Sequence, residues 1–281
     1  MKTKAFRSLV PQYKAVLFDS FGVLKDYYGL IDGAKHTIDF LNEQNIPYLV
    51  LTNDASRSPA ELAEAFNKRG LHDITPEKII SSGMMAYEYL SCKVKGGKVA
   101  YLGTEESAHY IEATGLETVS MEELDLDNLE EISALVFLDD EGFDWFKGIN
   151  KAINLLRKVN IPAVIANTDR TYPVSKHQVA IAIGGIADMI EPIVRKQFIR
   201  FGKPDAQMFI YAFTQLQQLG TFEKHEVLMV GDTLSTDIIG GNKFGLDTAL
   251  VLTGNTPPDR VKSRIRSTGI IPNHVCDSIG L

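Results

Sequence analysis

The sequence predicts an α/β fold in which helices cover a parallel sheet. Short β-rich runs alternate with helical stretches along most of the chain, the pattern such a sheet leaves in a sequence. The length of 281 residues fits roughly two domains of ~150 residues, enough to bury a sizeable core. Hydrophobic residues make up 44% and charged residues 23%, ordinary usage that excludes extensive disorder and fibrous repeats.

The first predicted strand is residues 15–18 and the second is 48–51, both continuous apolar runs. After them Ser58-Pro59-Ala60-Glu61 places an N-cap serine before a first-turn proline, with Glu at the third helical position. Leu62, Ala65 and Phe66 continue at core-facing spacing. Residues 99–102, 134–138 and 162–165 follow as β-rich runs. Lys203-Pro204-Asp205 opens another helix, in which Phe209, Ala212, Phe213, Leu216 and Leu219 recur before Gly220 ends it. Residues 227–230 and 248–252 complete the strands, and no repeat or Pro/Gly-rich linker marks a boundary.

Lys and Arg total 29 against 36 Asp and Glu, a net charge of −7 that repels nucleic-acid phosphate, so no nucleic-acid partner is expected. Cys92 and Cys276 lack both CxxC spacing and the density of a disulfide scaffold, and read as reduced thiols. Behind the positive flank of Met1-Lys2-Thr3-Lys4, the residues from Pro11 to Lys14 interrupt any apolar stretch of signal length. The longest apolar candidate, residues 179–187, contains Gly184-Gly185 and is well short of the ~20 residues a membrane span needs. A cytoplasmic protein without a membrane partner is the expectation. The histidines at 36, 72, 109, 177, 225 and 274 show no paired ligand spacing and read as surface or satisfied core residues.

Chemistry concentrates in four pieces. Asp19-Ser20-Phe21-Gly22 follows the first run, and Gly231-Asp232-Thr233-Leu234-Ser235-Thr236-Asp237 follows 227–230. In an open parallel sheet the carboxyl ends of the strands border the ligand crevice, so acids converge there. Carboxylates sharing a crevice repel unless a cation lies between them, and a set without His or Cys favours Mg²⁺ over zinc. Thr52-Asn53-Asp54 adds a hydroxyl, an amide and backbone N–H groups at the same edge. In Gly202-Lys203-Pro204 the proline is expected to start a helix and hold Lys203 at its mouth, where an ammonium binds phosphate with help from the helix dipole. Each piece alone also reads as a turn or a cap; their conjunction in this order points to a site.

In these motifs the chain resembles the haloacid dehalogenase (HAD) superfamily of phosphotransfer enzymes, whose four motifs match at residues 19–24, at Thr52-Asn53, at Lys203, and at Gly231-Asp232 with Asp237. It looks like subgroup IIA, which includes sugar-phosphate, nitrophenyl-phosphate and pyridoxal-phosphate phosphatases. Ser81-Ser82-Gly83, Asn167-Thr168-Asp169 and Leu252-Thr253-Gly254 are further points of likeness. The resemblance implies a Rossmann-like doubly wound parallel core at 1–83 and 192–281, interrupted by a C2-type α/β cap at 84–191 that excludes water. It implies a Mg²⁺-dependent phosphatase in which Asp19 attacks a small phosphate monoester, such as a sugar phosphate, and water hydrolyses the aspartyl-phosphate. Asp19, Asp232 and the carbonyl of Phe21 would hold the metal. Thr52, Asn53 and Lys203 would bind phosphoryl oxygens, and Asp237 would orient Lys203 or the metal waters.

Position 21 departs from the family pattern. Phosphatases of the family carry a second Asp two residues after the nucleophile, as general acid for the leaving alcohol and general base for water; here it is Phe21. The backbone carbonyl still serves a metal, but the acid–base function is lost, and such catalysis is typically worth roughly 10²–10⁴-fold. One outcome is a phosphatase that acts on esters with good leaving groups, or that takes a proton from Asp26, Asp139, Asp140, Glu141 or Asp169. The alternatives are a phosphotransferase or sensor with a long-lived aspartyl-phosphate, and an impaired phosphate-ligand-binding or regulatory protein. The first is adopted because every other motif residue is present. The run of residues 139–141 also reads as a solvated turn. Phe143, Trp145 and Phe146 would line a substrate pocket or pack as an interface, which leaves open a homodimer through the cap. A dehalogenase is disfavoured because Asp232 and Asp237 together suit a metal, and a dinucleotide-binding protein because residues 19–22 lack GxGxxG.

Overall fold

The computed structural model describes residues 3–175 and 178–280, so His177 and the first two residues of the N-terminal flank lie outside the described residues. In chain order the strands are β1 (Ala15–Phe18), β2 (Tyr48–Thr52), β3 (Ile79–Ser81), β4 (Lys98–Leu102), β5 (Glu117–Ser120), β6 (Ile132–Phe137) and β7 (Ala163–Ile165). They continue with β8 (Thr171–Ser175), β9 (Gln178–Ile181), β10 (Ile199–Arg200), β11 (Val227–Gly231), β12 (Asp247–Val251) and β13 (His274–Cys276). The chain divides into two units, one of residues 1–52, 59–80 and 203–281, the other of 53–58 and 81–202.

The sheet of the first unit runs β13-β12-β11-β1-β2-β3. β1 pairs in parallel with β11 and β2, β11 with β12, and β12 with β13. From β1 to β3 the strands step one way and from β11 to β13 the other, so the order reverses between β1 and β11. At such a switch point the loops leaving the carboxyl ends diverge and open a crevice. Every residue of β1, β2 and β11 is buried, because helices cover both faces and leave no side of these strands for water. On one face Val16, Phe18 and Val230 pack with Ile38 and Leu41 of the helix Ala34–Glu43 and Phe66 of Pro59–Asn67. The helices Ala206–Leu219 and Ile239–Phe244 cover the other, where Gly241 lies against Met229.

The second unit has its own parallel sheet, β10-β7-β6-β4-β5, and an antiparallel hairpin, β8-β9. Its core joins Leu135, Phe137 and Ile165 to Leu155 of the helix Trp145–Lys158 and to Ile183 and Ile186 of Ile183–Val194.

The seven expected strands all form, as does the helix opening at Pro59. Three expectations differ in detail. The helix after Lys203 begins at Ala206, and Asp205 is its N-cap, accepting from the Gln207 N–H at 2.8 Å, so Pro204 is not its first helical residue. Leu219 is 65% exposed, and the core stripe ends at Leu216. Residues 81–83 and 192–202 associate with the second unit: the Ser82 hydroxyl donates to the Asn53 carbonyl, β10 pairs with β7, and Phe198 stacks on Phe137. Among the described residues no helix is long and apolar enough to cross a membrane. Cys92 and Cys276 are free, and burial pushes the Cys276 thiol up to about 11.

Candidate active site

Asp19 is the first residue beyond β1, and its N–H donates to the Val230 carbonyl of β11 at 2.9 Å, so the sheet itself seats it at the switch point. Asp232 follows β11 directly. The chain then makes a wide π turn over Leu234–Ile238 that carries Asp237, fully buried, into the same space. One carboxylate oxygen from each of Asp19, Asp232 and Asp237 lies within 4.8 Å of the others.

Lys203, 2% exposed, balances part of this charge. Its Nζ lies 2.6 Å from Asp19 Oδ1 and 2.9 Å from Asp237 Oδ1, and donates to the Leu51 carbonyl of β2 at 2.8 Å. The ammonium is thus ion-paired to both carboxylates and hydrogen-bonded to the backbone of β2. The helix that follows is not what orients it, contrary to the expectation from Gly202-Lys203-Pro204; the ends of β1 and β2 and the π turn are. Burial works against the charged amine, but Asp19 and Asp237 outweigh it and hold its pKa above the ordinary value. Burial also raises the Asp19 carboxyl well above the usual range, with Asp237 adding and Lys203 opposing. Burial, then Asp237, pushes Asp232 up to about 7.

Asp232 is closely housed. Its Oδ2 accepts the Asn255 N–H at 2.6 Å and its Oδ1 the Thr233 hydroxyl at 2.8 Å. Gly22, at φ +80°, and Gly254 flank Oδ2, and a Cβ on either would stand 2.3 Å or 1.9 Å from it, so only glycine fits. Three carboxylates against one ammonium leave an excess of buried negative charge, which a divalent cation offsets. The donors are all oxygen, a set that suits Mg²⁺ and not zinc. Lys203, Asp232 and Asp237 are each 2% exposed or less, whereas the Asp19 side chain is 15% exposed. An accessible carboxylate held by a buried ammonium is able to attack an electrophile.

A family model described as haloacid dehalogenase-like hydrolase matches residues 16–117, and a HAD-hydrolase-like model matches 200–280. The acid sugar phosphatase of Staphylococcus aureus is 32% identical over 257 residues, covering 90% of this chain and 92% of its own. The chain belongs to the haloacid dehalogenase-like hydrolases. A solved HAD structure from Cytophaga hutchinsonii, described as a possible sugar phosphatase, gives a TM-score of 0.96 at 56% identity, covering 100% of this chain and 99% of that one. Together with the sugar phosphatase relative it places the chain in HAD subgroup IIA. A glycerol phosphate phosphatase of Mycobacterium tuberculosis, solved in complex with magnesium, shares the HAD fold with a TM-score of 0.78 at 24% identity, covering 99% of this chain and 78% of that one.

Of the positions singled out by the HAD motifs, Asp19, Lys203, Asp232 and Asp237 meet in the first unit. Thr52 ends β2 and is 7% exposed. Asn53 associates with the second unit, where its amide donates to Asp169 Oδ1 at 2.9 Å and reaches Thr168 Oγ1 at 3.4 Å. Phe21, half-buried, sits in a tight turn closed by the Leu24 N–H on the Ser20 carbonyl at 2.9 Å.

Asp26 accepts from the N–H groups of Tyr28 and Gly29 in its own loop. The run at 139–141 is not a solvated turn. Asp140 is buried and accepts the Tyr172 hydroxyl at 3.1 Å, and burial with Asp140 beside it pushes Asp139 up to about 6; only Glu141 is exposed. Trp145 donates its indole N–H to the Asp140 carbonyl at 2.8 Å, Phe143 packs on Gly148, and Phe146 is 81% exposed. Sequence reasoning missed Thr233 and Asn255, whose one signal is that each directly follows a motif residue, Asp232 or Gly254.

Proposed function

We propose that the chain is a Mg²⁺-dependent phosphatase hydrolysing a small phosphate monoester of the sugar-phosphate class through an aspartyl-phosphate on Asp19. The observation that carries this reading is the single accessible carboxylate, Asp19, in an otherwise buried set of Lys203, Asp232 and Asp237 at the sheet's switch point. The sugar phosphatase relatives support the substrate class, and the all-oxygen donor set supports the metal.

Asp19, Asp232 and the Phe21 carbonyl would hold Mg²⁺, which when bound neutralises charge on the phosphoryl group and on its nucleophile. Lys203 occupies Asp19 Oδ1, leaving Oδ2 to attack phosphorus. The ester P–O bond breaks, the leaving group departs as an alkoxide that takes its proton from solvent water, and a second water then cleaves the acyl phosphate to restore Asp19 and release phosphate. Thr52, Asn53 and Lys203 would bind the phosphoryl oxygens, while Asp237 keeps Lys203 charged and aimed. The second unit takes the part of the family's cap, expected from the sequence at 84–191. A cytoplasmic location and a homodimer through that unit belong to the same proposal.

The side chain of Phe21 gives the leaving alcohol no proton, which favours esters of acidic alcohols. It equally favours a second reading, in which the aspartyl-phosphate is long-lived and the protein is a phosphotransferase or a regulatory binder. A phosphate-release screen over sugar, nucleotide, aryl and acyl phosphates, with and without Mg²⁺, separates the two. Release is expected to need Mg²⁺, to vanish in Asp19→Asn, and to rise on the order of 10²-fold in Phe21→Asp for alkyl esters. Undiminished release by Asp19→Asn refutes the assignment of the nucleophile. A stoichiometric acyl phosphate without turnover establishes the second reading.

A further inference from the structure

Asn255, on the loop after β12, is committed at three points. Its N–H donates to Asp232 Oδ2 at 2.6 Å, its side-chain amide donates to Thr233 Oγ1 at 2.9 Å, and its carbonyl accepts from Arg264 Nη1 at 2.6 Å. The Thr233 hydroxyl spends its own proton on Asp232 Oδ1 at 2.8 Å. A hydroxyl has one proton, so the amide of Asn255 must be the donor in their bond, and it fixes the rotor in the one direction that reaches Asp232.

Each oxygen of Asp232 therefore takes one donor and keeps a lone pair, and the carboxylate cannot turn. Two loops share the work, since Oδ1 is held from the turn after β11 and Oδ2 from the loop after β12. At the near end of that second loop the Thr253 hydroxyl donates to the Gly22 carbonyl at 2.5 Å, tying it to the turn that carries Phe21. The Thr233 hydroxyl is not needed to build the π turn. The turn's own bonds run from the N–H groups of Asp237 and Ile238 to the Thr233 carbonyl, and the Thr233 N–H donates to Asp237 Oδ2.

We infer that the Thr233–Asn255 side-chain couple is a positioning device for cation binding, locking the Asp232 carboxylate in the orientation in which it ligates Mg²⁺. This rests on the proposed reading of Asp232 as a metal ligand. Partners that orient a ligand from behind typically change metal affinity by 10–100-fold when removed. Substituting Thr233→Val or Asn255→Leu leaves the backbone donor to Asp232 in place, so only the couple is broken.

The test is calorimetric titration of substrate-free protein with Mg²⁺ alone, for the native chain, Asp232→Asn, Thr233→Val, Thr233→Ser and Asn255→Leu, with metal-free melting measured beside it. Thr233→Val and Asn255→Leu are each expected to weaken Mg²⁺ binding about ten-fold without lowering metal-free melting, and Thr233→Ser to retain native affinity. Affinities within about two-fold of native in both variants, while Asp232→Asn abolishes binding, overturn the inference and leave the phosphatase reading standing. A loss that appears only together with lowered metal-free melting, or that Thr233→Ser shares, also overturns it. No Mg²⁺ binding by the native chain removes the inference and the metal-dependent reading together.

Discussion

Lys203 shows why the site could be read in part from single residues. A lysine 2% exposed survives only because its ammonium meets Asp19, Asp237 and the Leu51 carbonyl, all supplied by other segments of the chain. The sequence marks the residue through its Gly202-Lys203-Pro204 setting, but gives the wrong reason for its placement, because ion pairing across 184 residues leaves no local trace. Asp139 is the converse. Its neighbours Asp140 and Glu141 suggest a solvated run, yet burial, then Asp140, pushes its carboxyl up to about 6. The folded state thus keeps a proton between about pH 4 and 6 that the unfolded chain has released, so this group's contribution falls as pH rises through that window. Asp139→Asn is expected to flatten that part of the stability profile. At neutral pH it should stabilise the protein by on the order of 1–2 kcal/mol, the range left after solvent screening of a partly exposed group. Denaturant titrations at about pH 4.5 and 7.5 measure both effects, and an unchanged profile counts against the burial argument.

At the scale of elements, legibility followed burial. β1, residues 48–51 of β2 and residues 227–230 of β11 are continuous apolar runs because the sheet interior hides both of their faces, and β12 is apolar from Ala249 onward. β5, β8 and β9 were not legible, since most of their residues are half-buried or exposed, and β10 has only two residues and β13 and β3 three each. The loops that make the site have no periodicity to read; what they have is glycine. Gly254→Ala would set a Cβ 1.9 Å from Asp232 Oδ2 and must displace that carboxylate. The variant is expected to keep its native circular dichroism and lose the rise in melting temperature that Mg²⁺ gives the native protein. A retained Mg²⁺ shift would show that the Asp232 pocket yields without consequence.

For the molecule as a whole, a length of 281 residues fits roughly two domains of ~150 residues, and the chain divides into two units with separate sheets. Their extents were less legible, because residues 192–202 declare their membership only through β10 pairing with β7 and Phe198 stacking on Phe137. Phe146, 81% exposed, and Trp145, 41% exposed, lead the helix Trp145–Lys158 of the second unit. If they carry the proposed homodimer, sedimentation should give twice the 31.1 kDa mass, and Phe146→Glu should return it to one. A native monomer at micromolar concentration rules the homodimer out. The adjacency of β1 and β11 also bears on how the protein is made. Synthesis runs from the N-terminus, so β1 leaves the ribosome long before its neighbour, residues 227–231, exists. Until then β1 has one bare flank, and Asp19 lacks Asp232 and Asp237. A chain cut before residue 227 is therefore expected to expose that flank of β1 and to lack two of the three clustered carboxylates.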